Sequence, residues 1–319
     1  MVHDAGNRSR IKPTWLIGLG LLAVATLTGC NAEPQALVAP PVAEVVETPE
    51  SEPEEIPVET PEPAPAPEDP FEAMLWHLHL TSAQLFDLPR PVIDTILPAG
   101  LGTAGPADLL PLAAVPKFDL TPAFNQPGDA DPVLALEIYS DLVIEPIEAR
   151  WTVVGQQPGW VRVIVPVGRG ALPSVDPESV NHQAVWVPED AVTLEPETNR
   201  VEVSVSNRRL TLFNGDDEVA SFPVGVGVVG VTDTPLGLCS VIARVVIQTG
   251  AESLLTSCQS ERLDGFAGAD WATVAVHEGS GFSLSQGGAV SNGCVRVPPV
   301  KFETYLEDLN IGTPVLFVP

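Results

Sequence analysis

The sequence predicts a mainly β protein whose folded part follows a disordered, acidic and proline-rich tether. Three observations lead to this fold class. Short segments between residues 132 and 318 alternate apolar and polar residues, Gly- and Pro-rich turns separate them, and residues 31–70 contain eleven Pro, eleven Asp or Glu and no Lys or Arg. Alternation indicates strands with one buried face, whereas a Pro- and Glu-rich segment buries too little apolar surface to offset the entropy of ordering.

Residues 1–29 have the features of a lipoprotein signal peptide. Three basic residues precede an apolar stretch, Trp15–Leu27, which is long enough for a signal-peptide core and short for a membrane span. The stretch ends in Leu27-Thr28-Gly29-Cys30, which resembles a bacterial lipobox, where cleavage leaves a lipid-bearing Cys. We expect Cys30 to anchor the protein in the cell membrane, on the extracytoplasmic face and next to the cell wall. A plain signal peptide or an uncleaved anchor helix is the alternative.

Residues 30–70 form the tether behind this lipidated Cys. Pro-rich chains extend by about 3.1 Å per residue, so the tether reaches on the order of 100 Å from the bilayer. The whole chain carries 42 Asp and Glu against 15 Lys and Arg, a formal net charge of −27. This acidity argues against nucleic acid as a partner and favours substrates that carry a cationic group.

Residues 71–131 form a Pro-rich region that begins with a short helix-compatible pattern. Residues 132–198 then show short alternating strands at close spacing, which indicate a small β-barrel. The segments Gly159-Trp160-Val161-Arg162-Val163 and Val185-Trp186-Val187-Pro188 resemble bacterial SH3-like modules, which often accompany cell-wall enzymes. Their two Trp residues are core aromatics in one interpretation and ligand platforms in the other.

Residues 199–319 form the C-terminal domain, which is again rich in predicted strands. Asn214-Gly215 is a strong hairpin signal between two apolar runs, Arg208–Phe213 and Glu218–Val224. Further strands are expected at residues 201–205, 241–247, 273–277 and 315–318. One helix is expected over residues 299–309, because a Pro opens it and a Gly follows its end.

Cys294 is the most informative residue of this domain. It lies in Ser291-Asn292-Gly293-Cys294-Val295-Arg296, and His277 lies upstream at the end of the apolar run 272–276. A thiolate attacks a carbonyl and a thiol does not, so a catalytic Cys needs a nearby base or cation. The two residues therefore indicate a nucleophile and its base. An inert buried Cys and a structural His are the alternative.

The residues around Cys294 also include candidates for binding the substrate and stabilising a transition state. Ser291, Gly293 and the backbone N–H of Cys294 are candidate donors to a tetrahedral oxyanion. Arg296 would favour the thiolate or bind a carboxylate of the substrate.

Cys239 and Cys258 flank the apolar run 241–247. In an exported protein this placement favours a disulfide that bridges a hairpin and adds about 3 kcal/mol of stability. Two free, buried thiols are the alternative.

Residues 199–319 resemble the L,D-transpeptidase catalytic domain, the YkuD type, over nearly their whole length. The segments that carry the resemblance are Asn214-Gly215, Phe222-Pro223-Val224-Gly225-Val226-Gly227, Thr234-Pro235-Leu236-Gly237, Val276-His277, Ser291-Asn292-Gly293-Cys294-Val295-Arg296 and Gly312-Thr313-Pro314-Val315. The resemblance implies a β-sandwich-like fold with Cys294 as nucleophile and His277 as general base and acid. It implies that no metal and no cofactor are needed.

Two residues depart from the family's pattern. Asn292 stands where relatives commonly have His, and its amide can still donate a hydrogen bond. Glu278 stands where relatives commonly have Gly, directly after the first His. In relatives the carbonyl of that residue orients the imidazole, a role that the Glu278 backbone can fill. Its carboxylate would raise the pKa of His277 and shift the pH optimum upward.

The resemblance also implies a reaction. Cys294 would attack the third residue of a peptidoglycan stem tetrapeptide, expel the terminal D-Ala and leave a thioester. The side-chain amine of a second stem would resolve it and give a 3–3 cross-link. Stem peptides are then both acyl donor and acceptor, and β-lactams of the carbapenem type are the expected inhibitors. The alternatives are an L,D-carboxypeptidase, in which water resolves the thioester, and a catalytically inactive wall-binding lipoprotein.

Overall fold

The computed structural model describes residues 67–137, 139–140, 147–246, 250–279 and 287–319. The predicted signal peptide, Cys30 and nearly all of the predicted tether lie outside the described residues. Within the described part of the chain, no helix combines the length and apolar character needed to cross a membrane. The fold is mainly β, as the alternating pattern predicted.

Three short helices accompany the strands, namely α1 (Pro70–His77), α2 (Ser82–Phe86) and α3 (Pro299–Tyr305). The Asp69 carboxylate accepts hydrogen bonds from the first N–H groups of α1, which would otherwise have no partner. Thr81 and Gln84 form a reciprocal capping box at the start of α2. The helix α3 is shorter than the predicted 299–309, because it ends in turns after Tyr305.

Ten strands precede residue 197. They are β1 (Gly102–Thr103), β2 (Leu112–Pro116), β3 (Leu120–Ala123), β4 (Leu134–Glu137), β5 (Tyr139–Ser140), β6 (Ile147–Glu148), β7 (Trp151–Gln157), β8 (Trp160–Ile164), β9 (Gln183–Pro188) and β10 (Val192–Pro196). Six of them form a sheet in the order β1-β9-β8-β7-β2-β10, while β3–β4 and β5–β6 are separate pairs. Because β1 and β2 belong to this sheet, it starts before residue 132. Its SH3-like character stays a prediction.

The core of this first sheet is formed by alternating strand residues such as Trp151, Val153 and Val163. Trp160 packs edge-on against Phe124, with ring centroids 5.1 Å apart, and Phe124 forms a β-bridge with Trp186. Phe124 itself is buried. Trp160 and Trp186 are themselves half-buried, and neither belongs to the buried cluster of this sheet. Their role as core aromatics or as ligand platforms stays a prediction.

Ten further strands form the second sheet. They are β11 (Asn199–Ser204), β12 (Arg209–Asn214), β13 (Asp217–Pro223), β14 (Gly225–Gly227), β15 (Gly237–Val246), β16 (Glu252–Gln259), β17 (Thr273–Glu278), β18 (Gly288–Ser291), β19 (Val295–Val297) and β20 (Pro314–Val318). Their order is β13-β12-β11-β20-β15-β16-β17-β19-β14-β18. The predicted hairpin turn lies between β12 and β13, with Gly215 at a φ of +59°. The strand β16 was not predicted, and neither were the short strands β14, β18 and β19.

The second sheet is continuous and curls around one core. The long strand β15 pairs with β16, and this pairing is irregular between Val241 and Ala243. Core residues come from both halves, for example Val203 and Phe317 on one side of β15 and Val276 and Val297 on the other. The expected sandwich-like core is therefore enclosed by a single curled sheet.

The two sheets share buried contacts. The Thr152 hydroxyl on β7 donates to Ser240 Oγ at 2.6 Å and lies 2.8 Å from the Gly312 carbonyl. Val154 and Ile164 pack with Leu238 in one apolar cluster. The first sheet is therefore packed directly against the second, without an exposed linker between them.

Candidate functional site

The segment Ser291–Cys294, here called the nucleophile turn, connects β18 to β19. These two strands are not neighbours, because β14 lies between them and pairs with both. The turn therefore crosses the end of β14 at Gly227. A side chain at Gly227 would approach the Thr232 carbonyl oxygen to 1.9 Å, so only Gly fits at this crossing.

The nucleophile turn is closed by bonds within itself. Ser291 Oγ donates to the Cys294 carbonyl at 2.5 Å and accepts the Gly293 N–H at 3.1 Å. Gly293 has a φ of +113°, a backbone conformation that residues with a side chain rarely adopt. Two of the predicted oxyanion donors, Ser291 and the Gly293 N–H, are thus already engaged. The Cys294 N–H, by contrast, donates no hydrogen bond among the described residues.

Two threonines hold the nucleophile turn from the loop after β14. Thr232 Oγ1 donates to the Ser291 carbonyl at 2.7 Å, and Thr234 Oγ1 donates to the Gly293 carbonyl at 2.7 Å. Thr234 Oγ1 also accepts the Gly227 N–H at 3.0 Å. No role for these threonines was expected from the sequence. The only available signal was the Thr234-Pro235-Leu236-Gly237 motif.

His277 and Cys294 lie on the same face of the second sheet. The strands β17 and β19 are parallel, with Val276 opposite Val295 and His277 opposite Arg296. Residues two apart on a strand share a face, so Cys294, Arg296 and His277 point to one side while Val276 points into the core. Cys294 and His277 occupy diagonal positions, which are about 7–8 Å apart between backbones in a regular sheet.

The thiol of Cys294 is half-buried. Its Sγ lies 4.0 Å from the Thr273 carbonyl oxygen, and no hydrogen bond joins it to the His277 ring within the described ranges. Burial raises the pKa of Cys294 above its ordinary value, which the Ala275 backbone and the Arg296 charge offset only in part. The thiol therefore needs a base to become a nucleophile near neutral pH.

The His277 ring is held in an orientation suited to a base. Its Nδ1 lies 2.7 Å from the Glu278 carbonyl oxygen, the contact proposed for the backbone of that residue. A neutral ring that donates through Nδ1 leaves the Nε2 lone pair free to accept a proton. Burial lowers the pKa of His277 below 6.5, and the bond to Glu278 counteracts this only in part.

The Glu278 carboxylate does not act on the imidazole as expected. It accepts the Glu252 N–H at 3.2 Å, and strand alternation directs it to the face opposite the His277 ring. The expectation that this carboxylate raises the pKa of His277 is wrong, because burial dominates and the shift is downward.

Arg296 and Asn292 lie next to the thiol in different environments. Arg296 is half-buried, and its positive charge lowers the pKa of both Cys294 and His277. Asn292 is exposed at the tip of the nucleophile turn, where its amide makes no side-chain hydrogen bond among the described residues.

The part of the chain that contains Cys294 and His277 is similar to known proteins. Residues 198–316 match the YkuD family model, the L,D-transpeptidase catalytic domain. No curated protein sequence matches the chain.

Solved L,D-transpeptidase structures show a likeness over part of the chain. One from Mycobacterium smegmatis is 16% identical, covers 50% of this chain and 91% of its own, and has a TM-score of 0.30. One from Mycobacterium tuberculosis H37Rv is 16% identical, with coverages of 50% and 90% and a TM-score of 0.32. A third, in complex with imipenem, is 17% identical, with coverages of 50% and 91% and a TM-score of 0.30.

The L,D-transpeptidase domain also contains a buried disulfide. Cys239 on β15 and Cys258 on β16 are bonded to each other, which is the predicted pairing. Cys294 is the free cysteine of the described residues. His182 lies within 4.8 Å of the two sulfur atoms, but the disulfide bond removes both as metal ligands.

Proposed function

We propose that this protein is a peptidoglycan L,D-transpeptidase that forms 3–3 cross-links through an acyl-enzyme on Cys294. One observation carries the proposal. The thiol of Cys294 and the imidazole of His277 occupy diagonal positions on one sheet face, in a domain that matches the L,D-transpeptidase family model. The opposite pKa shifts of the two groups favour a neutral thiol and a neutral imidazole before substrate binds.

The first half of the reaction is acyl transfer to the enzyme. Nε2 of His277 accepts the thiol proton, and Sγ of Cys294 attacks the carbonyl carbon of the third stem residue. The protonated ring then gives its proton to the amine of the terminal D-Ala as the C–N bond breaks. The products of this half are free D-Ala and a thioester on Cys294.

The tetrahedral intermediate of this half carries a negative oxygen. The Cys294 N–H is the donor that the nucleophile turn leaves available, since Gly293 N–H is bonded to Ser291 Oγ. Asn292 can supply a second donor through its exposed amide. It would then take part in the chemistry at the position where relatives commonly have His. Arg296 is placed to attract a carboxylate of the stem peptide.

The second half transfers the acyl group to an amine. Nε2 of His277 takes a proton from the side-chain amine of a second stem as that nitrogen attacks the thioester, and Cys294 leaves as the thiol. The new amide bond is the 3–3 cross-link. The net acidity of the chain favours approach of an ammonium group, which is the resting form of this acceptor.

The proposed location follows from the N-terminal sequence. Lipid on Cys30 would hold the protein at the extracytoplasmic face of the cell membrane, and the tether would let the domain reach the wall. The first sheet, packed against the domain through Thr152, would move with it as one body.

Intact-mass spectrometry with a carbapenem tests the acyl-enzyme. The full chain in detergent is incubated with imipenem, and we expect one covalent adduct that Cys294→Ala removes. His277→Gln should slow adduct formation strongly, while Ser174→Ala, in the first sheet region, should leave it unchanged. A folded parent chain that gains no adduct would contradict the proposal.

A second measurement separates the transpeptidase from the carboxypeptidase. The chain is incubated with stem tetrapeptides, and the products are resolved by mass. We expect cross-linked dimers and free D-Ala in the parent and neither product in Cys294→Ala. Free tripeptide without dimers would assign the hydrolytic activity instead.

A further inference from the structure

The sheet face that carries Cys294 includes an apolar cluster. Ile242, Ala243, Leu255 and Ala275 form this buried cluster on β15, β16 and β17, and the Cys294 thiol packs against it. A peptide whose carbonyl reaches Sγ would therefore meet the partly exposed residues that border the cluster.

A residue from the first sheet borders the same cluster. Val167, in the loop between β8 and β9, packs against these four residues although it belongs to the region before the L,D-transpeptidase domain. Val167 is half-buried, so part of its side chain still faces outward. The apolar cluster that the thiol packs against is thus bordered by a residue that the family match does not cover.

The loop that carries Val167 is fixed to the domain by its next two residues. The buried Arg169 donates to the carbonyl oxygens of Asp264 at 2.8 Å and Asp270 at 2.7 Å. The neighbouring Gly168 carbonyl accepts Gln259 Nε2 at 3.4 Å. A buried guanidinium is costly unless its donors are paired, and these bonds pair Nη1 and Nη2, while Nε has no partner among the described residues. The two bonds therefore favour this position of the loop.

We propose that Val167 borders the acyl-donor site and is a specificity-determining residue. The inference rests on the proposed function. The Val167 side chain would contact apolar groups of the donor beside the scissile bond, and the methyl of the terminal D-Ala is a group of matching size. An apolar side chain at this border favours a small apolar leaving residue and disfavours a charged one.

Kinetics of D-Ala release from a synthetic stem tetrapeptide by the full chain test this role. Val167→Ala should lower kcat/KM by about 10-fold, the discrimination that a missing methyl or methylene gives in an apolar pocket. Val167→Asp should lower it further. Val175→Asp is the matched control, because Val175 belongs to the same region and is 75% exposed.

The rate of Cys294 alkylation by iodoacetamide reports on thiol reactivity without a donor peptide. We expect Val167→Ala to change the alkylation rate far less than it changes kcat/KM, so that the loss is specific to the peptide. The melting temperature should fall slightly, because Val167 packs against the buried cluster. A kcat/KM for Val167→Ala equal to that of the parent would overturn the role of Val167 and leave the proposed function intact. Absence of D-Ala release by the parent chain would overturn the proposed function and this inference together.

Discussion

The Thr234 hydroxyl lies 2.7 Å from the Gly293 carbonyl oxygen and donates a hydrogen bond to it. The same oxygen atom of Thr234 accepts the Gly227 N–H at 3.0 Å. One buried hydroxyl therefore ties the end of β14 to the residue before Cys294. The position of the thiol depends on a side chain far from it in sequence, in addition to the turn's own bonds.

Replacement of Thr234 should affect the fold and the site together. Thr234→Val leaves the buried Gly293 carbonyl and Gly227 N–H without partners, which costs about 1–3 kcal/mol for each unsatisfied group. We expect a lower free energy of unfolding and slower acylation of Cys294 by imipenem. Thr234→Ser keeps the hydroxyl and should retain most of the free energy of unfolding and most of the acylation rate.

Thr304→Val is the control for this replacement, since Thr304 Oγ1 bonds to the Val300 carbonyl on the exposed surface of α3. It should change neither measurement. Equal acylation rates for Thr234→Val and the parent would show that the turn holds its shape without this bond.

The acylation rate should fall on the acid side of the pH profile. His277 must be neutral to accept the thiol proton, and burial lowers its pKa below 6.5. The rate should therefore fall as pH drops through a midpoint that lies below 6.5. Acylation by imipenem measured between pH 5 and 9 tests this. A midpoint above pH 6.5 would contradict the buried, neutral imidazole.

Glu278→Gln should leave that pH profile unchanged. The carboxylate accepts the Glu252 N–H and faces away from the imidazole ring, and the amide oxygen of Gln can accept the same bond. The backbone carbonyl that orients His277 is present in both variants. A shift of the acid midpoint toward lower pH in Glu278→Gln would show that the carboxylate does act on the ring.

The sequence predicted the elements with strong local signals. Asn214-Gly215 marked the β12–β13 turn because this dipeptide suits a positive φ, and short apolar runs located β15, β17 and β20. The short strands β14, β18 and β19 carry too few residues for a periodic signal, and they shape the nucleophile turn.

Contacts between distant segments were beyond the reach of the sequence. His182 adopts a φ of +76° and packs so closely on Gly237 that a side chain there would meet its ring at 2.3 Å. The packing of Val167 against the same apolar cluster as Cys294 has the same origin, since it depends on how the two sheets pack. The sequence indicated the Ser291 hydroxyl as an oxyanion donor. In the structure this hydroxyl is engaged by its bond to the Cys294 carbonyl, and that bond depends on the folded turn, which the sequence does not reveal.

Loss of the disulfide should destabilise the domain without altering the site directly. Cys239 and Cys258 enclose a short loop, so replacing both with Ala should cost about 3 kcal/mol in the chain-entropy model. Urea unfolding of this double variant measures the loss. Cys294→Ala is the matched control, and it should unfold at nearly the parent's midpoint.

The buried ion pair between Arg150 and Glu197 should be worth more to stability than a surface pair. Arg150 Nη1 lies 2.5 Å from Glu197 Oε2, and the Glu197 side chain is only 2% exposed. Breaking a buried pair by removing one partner costs about 3–5 kcal/mol. Arg150→Met should therefore lower the melting temperature clearly. Arg90→Met, which breaks an exposed pair with Glu137, should change it little.

The position of β20 sets a condition on how the chain can fold during synthesis. This strand lies between β11 and β15, and it pairs in parallel with the first strand of the domain. Until residues 314–318 have emerged, β11 and β15 have no partner on their facing edges, and the halves of the curled sheet remain unconnected. The domain therefore cannot mature piece by piece on the ribosome, and partly made chains would expose two unpaired edges prone to aggregation.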